Sequence, residues 1–275
     1  MLRRLGIRGK VLAALGVPVL VLVLLAGLVS WQSVQQVRTA QTVTALLDAV
    51  ATSGDVVAAL QSERAASLPY AAGSAAPEAQ AAVDAARAAT TAALSDLDAA
   101  LGATDLTTLD PAVSAGVAGL RASVAGLADV RALVDTRAAA AADVVAAFSG
   151  IIDATVALPS SIADGLADRG LAALLAASSS TSALAESYAE EQALGVATLD
   201  GDRSAASLQQ LSGLSGGTAV AFEQASTRVA QLGAGLTVPP LGASDNGVTS
   251  FDVFRAMVAT GDPGATAGFT SADWS

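Results

Sequence analysis

Arg64 and Arg131 are the residues of this sequence whose surroundings point to chemistry. At helical spacing Arg64 shares a face with Val57, Leu60, Ser67 and Leu68, and Arg131 with Leu120, Val124, Leu127 and Val134. Each guanidinium therefore lies on an apolar stripe. An unpaired charge turned inward is very costly, so each needs a partner. The planar fork of donors suits a planar oxyanion, with each charge-assisted hydrogen bond contributing about 1.5–3 kcal/mol. On the residues alone two readings stay open. Either the fork binds a small anion, or it pairs structurally: Arg131 with Asp135 one turn on, Arg64 with Glu63 or another acid of the same bundle.

Most other chemistry is excluded. The chain has no Cys and no His. Thiol nucleophiles, Cys/His zinc sites, disulfides, Ser-His-Asp triads and a phosphoacceptor histidine are therefore impossible within it. The expectation is a chain that is no enzyme and uses neither cofactor nor metal. Asp200-Gly201-Asp202 lacks the further spaced ligands of a calcium loop and reads as a turn. Gly213, Gly216 and Gly217 are followed by no Lys and preceded by no strand, so they are no phosphate loop. Glu190 and Glu191 are adjacent, diverge on a helix, and are expected on a solvated face. Tyr70, Phe148, Tyr188 and Phe222 read as bundle core.

The elements that position these residues are helices. Of 275 residues 53% are apolar but only 3% aromatic, with Ala, Leu and Val dominant. Small, helix-favouring side chains let helices approach closely, which favours a bundle. The breaks predict a first helix from the membrane to about Ala72, disturbed at Ser53-Gly54 and ended by Gly73-Ser74. Pro77 opens a second, to about Leu101, and the Asp110-Pro111 cap opens a third, to about Asp135. A fourth covers 138–157 and ends at Pro159; a fifth covers 161–199 and a sixth 203–234. The stretch 236–271 reads as a loop with a short helix near 250–259. Asp273-Trp274 looks like a helix start, so the chain reads as C-terminally truncated.

Residues 1–10 carry Arg3, Arg4, Arg8 and Lys10 and no acid, and Val11–Val29 has no charged or polar side chain. Nineteen such residues span roughly 28 Å, close to the hydrocarbon thickness of a bilayer. The reading is a cytoplasmic basic tail at 1–10, a transmembrane helix at 11–31 in contact with lipid, and an extracytoplasmic helical region at 32–275. A cleaved signal peptide fits less well, because the apolar run is long and no small-x-small site follows it. Beyond residue 10 the net charge is −15, which argues against nucleic acid as a partner.

ERAASLPYAAG at 63–73 is echoed by EQALGVATLDG at 191–201. The offset of 128 also aligns Thr90 with Thr218 and Leu94 with Phe222. LGIRGKVLAALGVPVLVLVLL at the start, LQSERAASLPYAAG at 60–73, LADVRALVDTR and AAFSGIID within 127–153, and ALAESYAEEQALGVATL at 183–199 together resemble the nitrate- and nitrite-sensing (NIT) domain of actinobacterial-type sensor histidine kinases. The likeness covers nearly the whole chain, and the LQ-E-R segment is its most specific part. It implies an all-α fold of two up-down bundles sharing a long helix, the first at about 32–157 and the second at about 160–275. It implies nitrate or nitrite as ligand, held between bundles by arginine. On this sequence the ligand-binding positions are Arg64, Arg131, Ser67 and Gln192, where Gln192 replaces the arginine usual in the second repeat. It also implies the input half of a two-component receptor, and analogy with such receptors implies a homodimer. The alternatives are a helical receptor for another ligand or partner, and a ligand-free surface scaffold.

Overall fold

The computed structural model describes residues 44–73, 76–103, 110–166, 168–201, 203–233, 235–238, 255–264, 266–268 and 270. The basic tail, the membrane segment at 11–31 and the Asp273-Trp274 start lie outside the described residues. The chain divides into Met1–Leu47 and Asp48–Ser275, and the second unit carries everything below.

Among the described residues every regular element is a helix. In the second unit α1 covers 48–71. It is followed by α2 (Pro77–Gly102), α3 (Pro111–Ala125), α4 (Leu127–Asp135), α5 (Ala141–Val156), α6 (Leu158–Asp164), α7 (Arg169–Asp200) and α8 (Ala205–Leu232), and by a single turn, α9, at 255–258. Local chemistry sets the ends. Gly73 closes α1 at φ +86, a conformation side-chain-bearing residues rarely adopt. The Asp110 carboxylate accepts from the Ala112 amide at 2.8 Å, with Pro111 next in line. Asp168 caps α7 by accepting from Gly170 and Leu171 amides at 2.9 and 3.1 Å.

Three boundaries differ from expectation. The third helix is broken at Gly126 into α3 and α4. The expected fifth helix over 161–199 is broken between Asp164 and Arg169, where Gly165 and the Asp168 cap separate α6 from α7; α5 does end at Val156, just before Pro159, which sits in the first turn of α6. Ser53-Gly54 does not interrupt α1; the buried Ser53 hydroxyl donates to Val50 O of the same helix, 2.7 Å.

The core follows the apolar stripes. On α5, Val144, Val145, Phe148, Ile151, Ile152, Thr155 and Val156 are buried, more than one face, which is why this helix lies inside. The apolar stretch Ala141–Asp164, mean hydropathy 1.7, is the one described helical run long and apolar enough to cross a membrane, yet half of it is buried inside the protein. It packs as α5 and α6 against α3 and α7. In the C-terminal half Leu194, Leu199, Leu208, Leu211 and Val258 form one cluster; each leucine so buried contributes about 1.5–3 kcal/mol. α7, at 32 residues, packs on α5, α6 and α8 and is the long helix common to both halves. Tyr70 and Phe148 are core as expected, whereas Tyr188 and Phe222 are only half-buried.

Candidate functional site

α1 delivers two adjacent charged residues into the interior. Glu63 and Arg64 are 0% and 1% exposed. Neighbours on a helix diverge by about 100°, so they reach different helices, and α1 is covered on both sides.

Arg64 points to α5 and α7. Its Nη1 donates to Ser149 Oγ at 2.9 Å and to Glu186 Oε1, and its Nη2 donates to Glu186 Oε2 at 3.3 Å. Gln61 Nε2 donates to Glu186 Oε2 at 2.7 Å, and Ser149 Oγ to Oε1 at 3.4 Å. Glu186 is 2% exposed. The fork is thus not open: a carboxylate of α7 occupies it. The partner is Glu186, not the neighbouring Glu63.

Two further acids feel this cluster. Glu190 on α7 is held above the ordinary carboxylate range, first by burial and then by the charges of Glu186 and Asp153, with a Ser149 hydrogen bond and Arg64 opposing. Asp153, at the rim of α5, is raised by loss of water and by Glu186, and lowered by Arg64.

Glu63 points to α4. Arg131 donates through Nε to Glu63 Oε1 at 2.7 Å and through Nη2 to Oε2 at 2.9 Å. Arg87 on α2 lies 3.9 Å from Glu63 Oε1 and spends its fork on Asp135, 2.8 Å from Oδ1. Arg131 therefore pairs with Glu63, while Asp135, the acid expected for it, is taken by Arg87.

The sequence echo is visible in bonds. Thr90 Oγ1 donates to Ala59 O and Ala86 O, at 3.2 and 3.1 Å. Thr218 Oγ1, 128 residues on, donates to Ser187 O and Leu214 O, at 3.3 and 3.0 Å, each acceptor also displaced by 128. Glu191 takes the place of Glu63: it is 0% exposed and is clasped by Arg255, Nε to Oε1 at 2.7 Å and Nη2 to Oε2, with Thr218 donating at 2.9 Å. The expectation of a solvated face for Glu191 is therefore corrected, because α8 and α9 cover that side of α7. Arg255 escaped the sequence reading, although Glu191 precedes it by 64 residues much as Glu63 precedes Arg131 by 68.

Of the four residues singled out from the sequence, the structure places Arg64 and Ser67 one turn apart and buried on α1. The Ser67 hydroxyl is enclosed without a hydrogen-bond partner among the described residues. Arg131 stands on the Glu63 side, and Gln192, next to inward-facing Glu191, is exposed on α7. Glu190, expected on a solvated face, is instead half-buried beside this cluster; Glu186, Asp153 and Ser149 were not singled out, and Glu186 lies 122 residues from Arg64.

The family model for nitrate and nitrite sensing matches residues 55–273, a span that contains both halves and the Arg64 cluster. The chain belongs to the NIT family. Among solved structures this NIT chain is similar to the NasR transcription antiterminator, with a TM-score of 0.67, over 90% of this chain and 67% of that one, at 24% identity. At that identity the likeness speaks for the fold, which is all-helical in the same manner. No curated protein sequence matches the chain.

Proposed function

We propose that this chain is the extracytoplasmic input region of a membrane-anchored, dimeric two-component receptor that senses nitrate or nitrite, and that Arg64 holds the anion. The observation that carries the reading is the Arg64 fork, 1% exposed and spent on two coplanar oxygens supplied by Glu186 of α7. Nitrate and nitrite present two oxygens in one plane in the same way, so either replaces a carboxylate on a guanidinium without changing its geometry. Ser67, buried one turn away with an unspent hydroxyl, supplies a neutral donor. Arg131 serves the site by fixing α1 against α4 through Glu63. Gln192, at the repeat position of Arg64, brings no charge, so Arg64 is the charged fork of that repeat pair. The anchor at 11–31 and a kinase output belong to this reading through the charge pattern and the resemblance.

The test is calorimetric titration of the full 275-residue chain, held in detergent micelles, with sodium nitrate and sodium nitrite. Wild type binds one of the two. Arg64→Ala loses at least two charge-assisted hydrogen bonds and binds more than about a hundredfold more weakly. Absence of binding by wild type ends the nitrate reading. One observation favours a second reading, a ligand-free scaffold: the forks of Arg64, Arg131 and Arg255 are all taken by carboxylates. That reading predicts no heat with any small anion and no stabilisation in a thermal-shift screen of organic acids.

A further inference from the structure

We propose that Glu186 is a built-in competitor for the anion's place on Arg64, so that the anion enters together with one proton and the protein reads the pair. The proposal rests on the reading that Arg64 holds the anion.

The charge count makes the argument. One guanidinium, Arg64, faces three carboxylates, Glu186 and Glu190 from α7 and Asp153 from α5, with Ser149 and Gln61 as neutral partners. With every group ionised the cluster is at −2. On the other side of α1, Glu63 and Asp135 balance against Arg131 and Arg87, and Asp48 and Asp55 of α1 and Asp129 of α4 are exposed to solvent. On the helices packed against α5 and α7, Arg121 of α3 is in an exposed pair with Asp98. Asp164 of α6 and Glu223 and Arg228 of α8 are exposed, and Arg255 of α9 is spent on Glu191. An incoming monoanion therefore meets a net negative site in which Arg64 and Glu186 are enclosed, Glu190 is half-buried and Asp153 is exposed at the rim, and in which Arg64 is the one arginine among the described residues seen to bond to these acids. Adding it alone takes the cluster to −3; adding it with a proton keeps −2. Low dielectric makes the first route far costlier.

The exchange balances. The Glu186 carboxylate leaves Nη1 and Nη2 of Arg64, and two oxygens of the anion take those donors. A proton from solvent forms one O–H bond on the carboxylates of Glu186, Glu190 and Asp153. Glu190 and Asp153 already hold protons more tightly than ordinary carboxyls, partly because of the Glu186 charge. Releasing that charge from Arg64 strengthens the effect. Gln61 and Ser149 remain to hydrogen-bond the displaced Glu186 side chain.

Co-binding of one proton has a defined signature: affinity falls up to tenfold for each pH unit above the range in which the cluster is protonated. The experiment titrates the full chain in micelles with sodium nitrate between pH 5 and 8, in buffers of different ionisation heat. The expected result is uptake of about one proton per nitrate at pH 7, with Kd rising steeply toward pH 8. Glu186→Gln is expected to bind nitrate at least about tenfold more tightly at pH 8, with smaller proton uptake and a flatter pH profile. Wild-type binding without proton uptake and independent of pH overturns the proposal while leaving Arg64 as the anion site. No nitrate binding at any of these pH values overturns the underlying reading instead. The wild-type proton count needs no variant to fold.

Discussion

Replacing Arg255 by alanine leaves the Glu191 carboxylate 0% exposed and without its fork. The Thr218 hydroxyl stays, at 2.9 Å. Removing one partner of a buried ion pair costs about 3–5 kcal/mol, because the remaining charge is left uncompensated. Arg131→Ala is the internal comparison. It removes the equivalent fork from Glu63, but Arg87 remains 3.9 Å from Oε1 and can swing onto the vacated oxygens. The two arginines are similarly half-open, 24% and 19% exposed, so solvent screening does not separate them. Arg255→Ala is therefore expected to cost more than Arg131→Ala, by about 1.5–3 kcal/mol, the worth of one charge-assisted bond. Urea unfolding followed by helical circular dichroism measures both. Adding Glu191→Gln to Arg255→Ala removes the stranded charge and restores part of the loss, which a cycle of the single and double variants quantifies. Equal costs for the two alanine variants, or a loss below about 1 kcal/mol for Arg255→Ala, would show that burial of Glu191 is not compensated by this pair.

Two other variants test the packing and the cluster. A Cβ on Gly116 meets Ser161 Cβ at 2.5 Å, so Gly116→Ala is expected to push α3 off α6 and cost about 1–3 kcal/mol, with Ser161→Gly in the same chain recovering most of it in the same urea assay. Glu190 is raised in the folded state, so folding takes up protons and its contribution to stability falls as pH rises from the ordinary carboxyl range through the raised value; Glu190→Gln is expected to raise the melting midpoint at pH 7 by about 2–4 °C and to change it little at pH 4.

The helices were legible because their signals are local. Pro77, Asp110-Pro111 and Gly73 mark ends through their own backbone chemistry. The break at Gly126 was less legible, since a glycine inside an alanine-rich run is tolerated until packing decides. The inward turn of Arg64 was legible from its apolar stripe, and its pairing was not. Which carboxylate meets a guanidinium depends on long-range packing, and Glu186 reaches Arg64 across 122 residues. Glu191 shows the same limit from the other side. Its exposure depends on whether α8 and α9 cover α7, and an alanine-rich helix has apolar neighbours on every face, so the stripe does not say which face is inside.

The repeat separates what holds the halves from what joins them. Glu63–Arg131 closes α1 on α4, and Glu191–Arg255 closes α7 on α9. These two clasps are equivalent, use the same donor atoms, and lie each within its own half. Arg64 has no equivalent among the described residues: its repeat partner is Gln192, exposed on α7, and its own fork reaches Glu186 on the same shared helix. A structural ion pair inherited with the repeat would appear twice, as the clasps do. The pair that appears once ties α1 to α7, the long shared helix, and exchanging its carboxylate for a free anion would alter the contact between α1 and α7 while leaving both clasps intact. A receptor needs such a contact, one whose partner can change without unfolding either half.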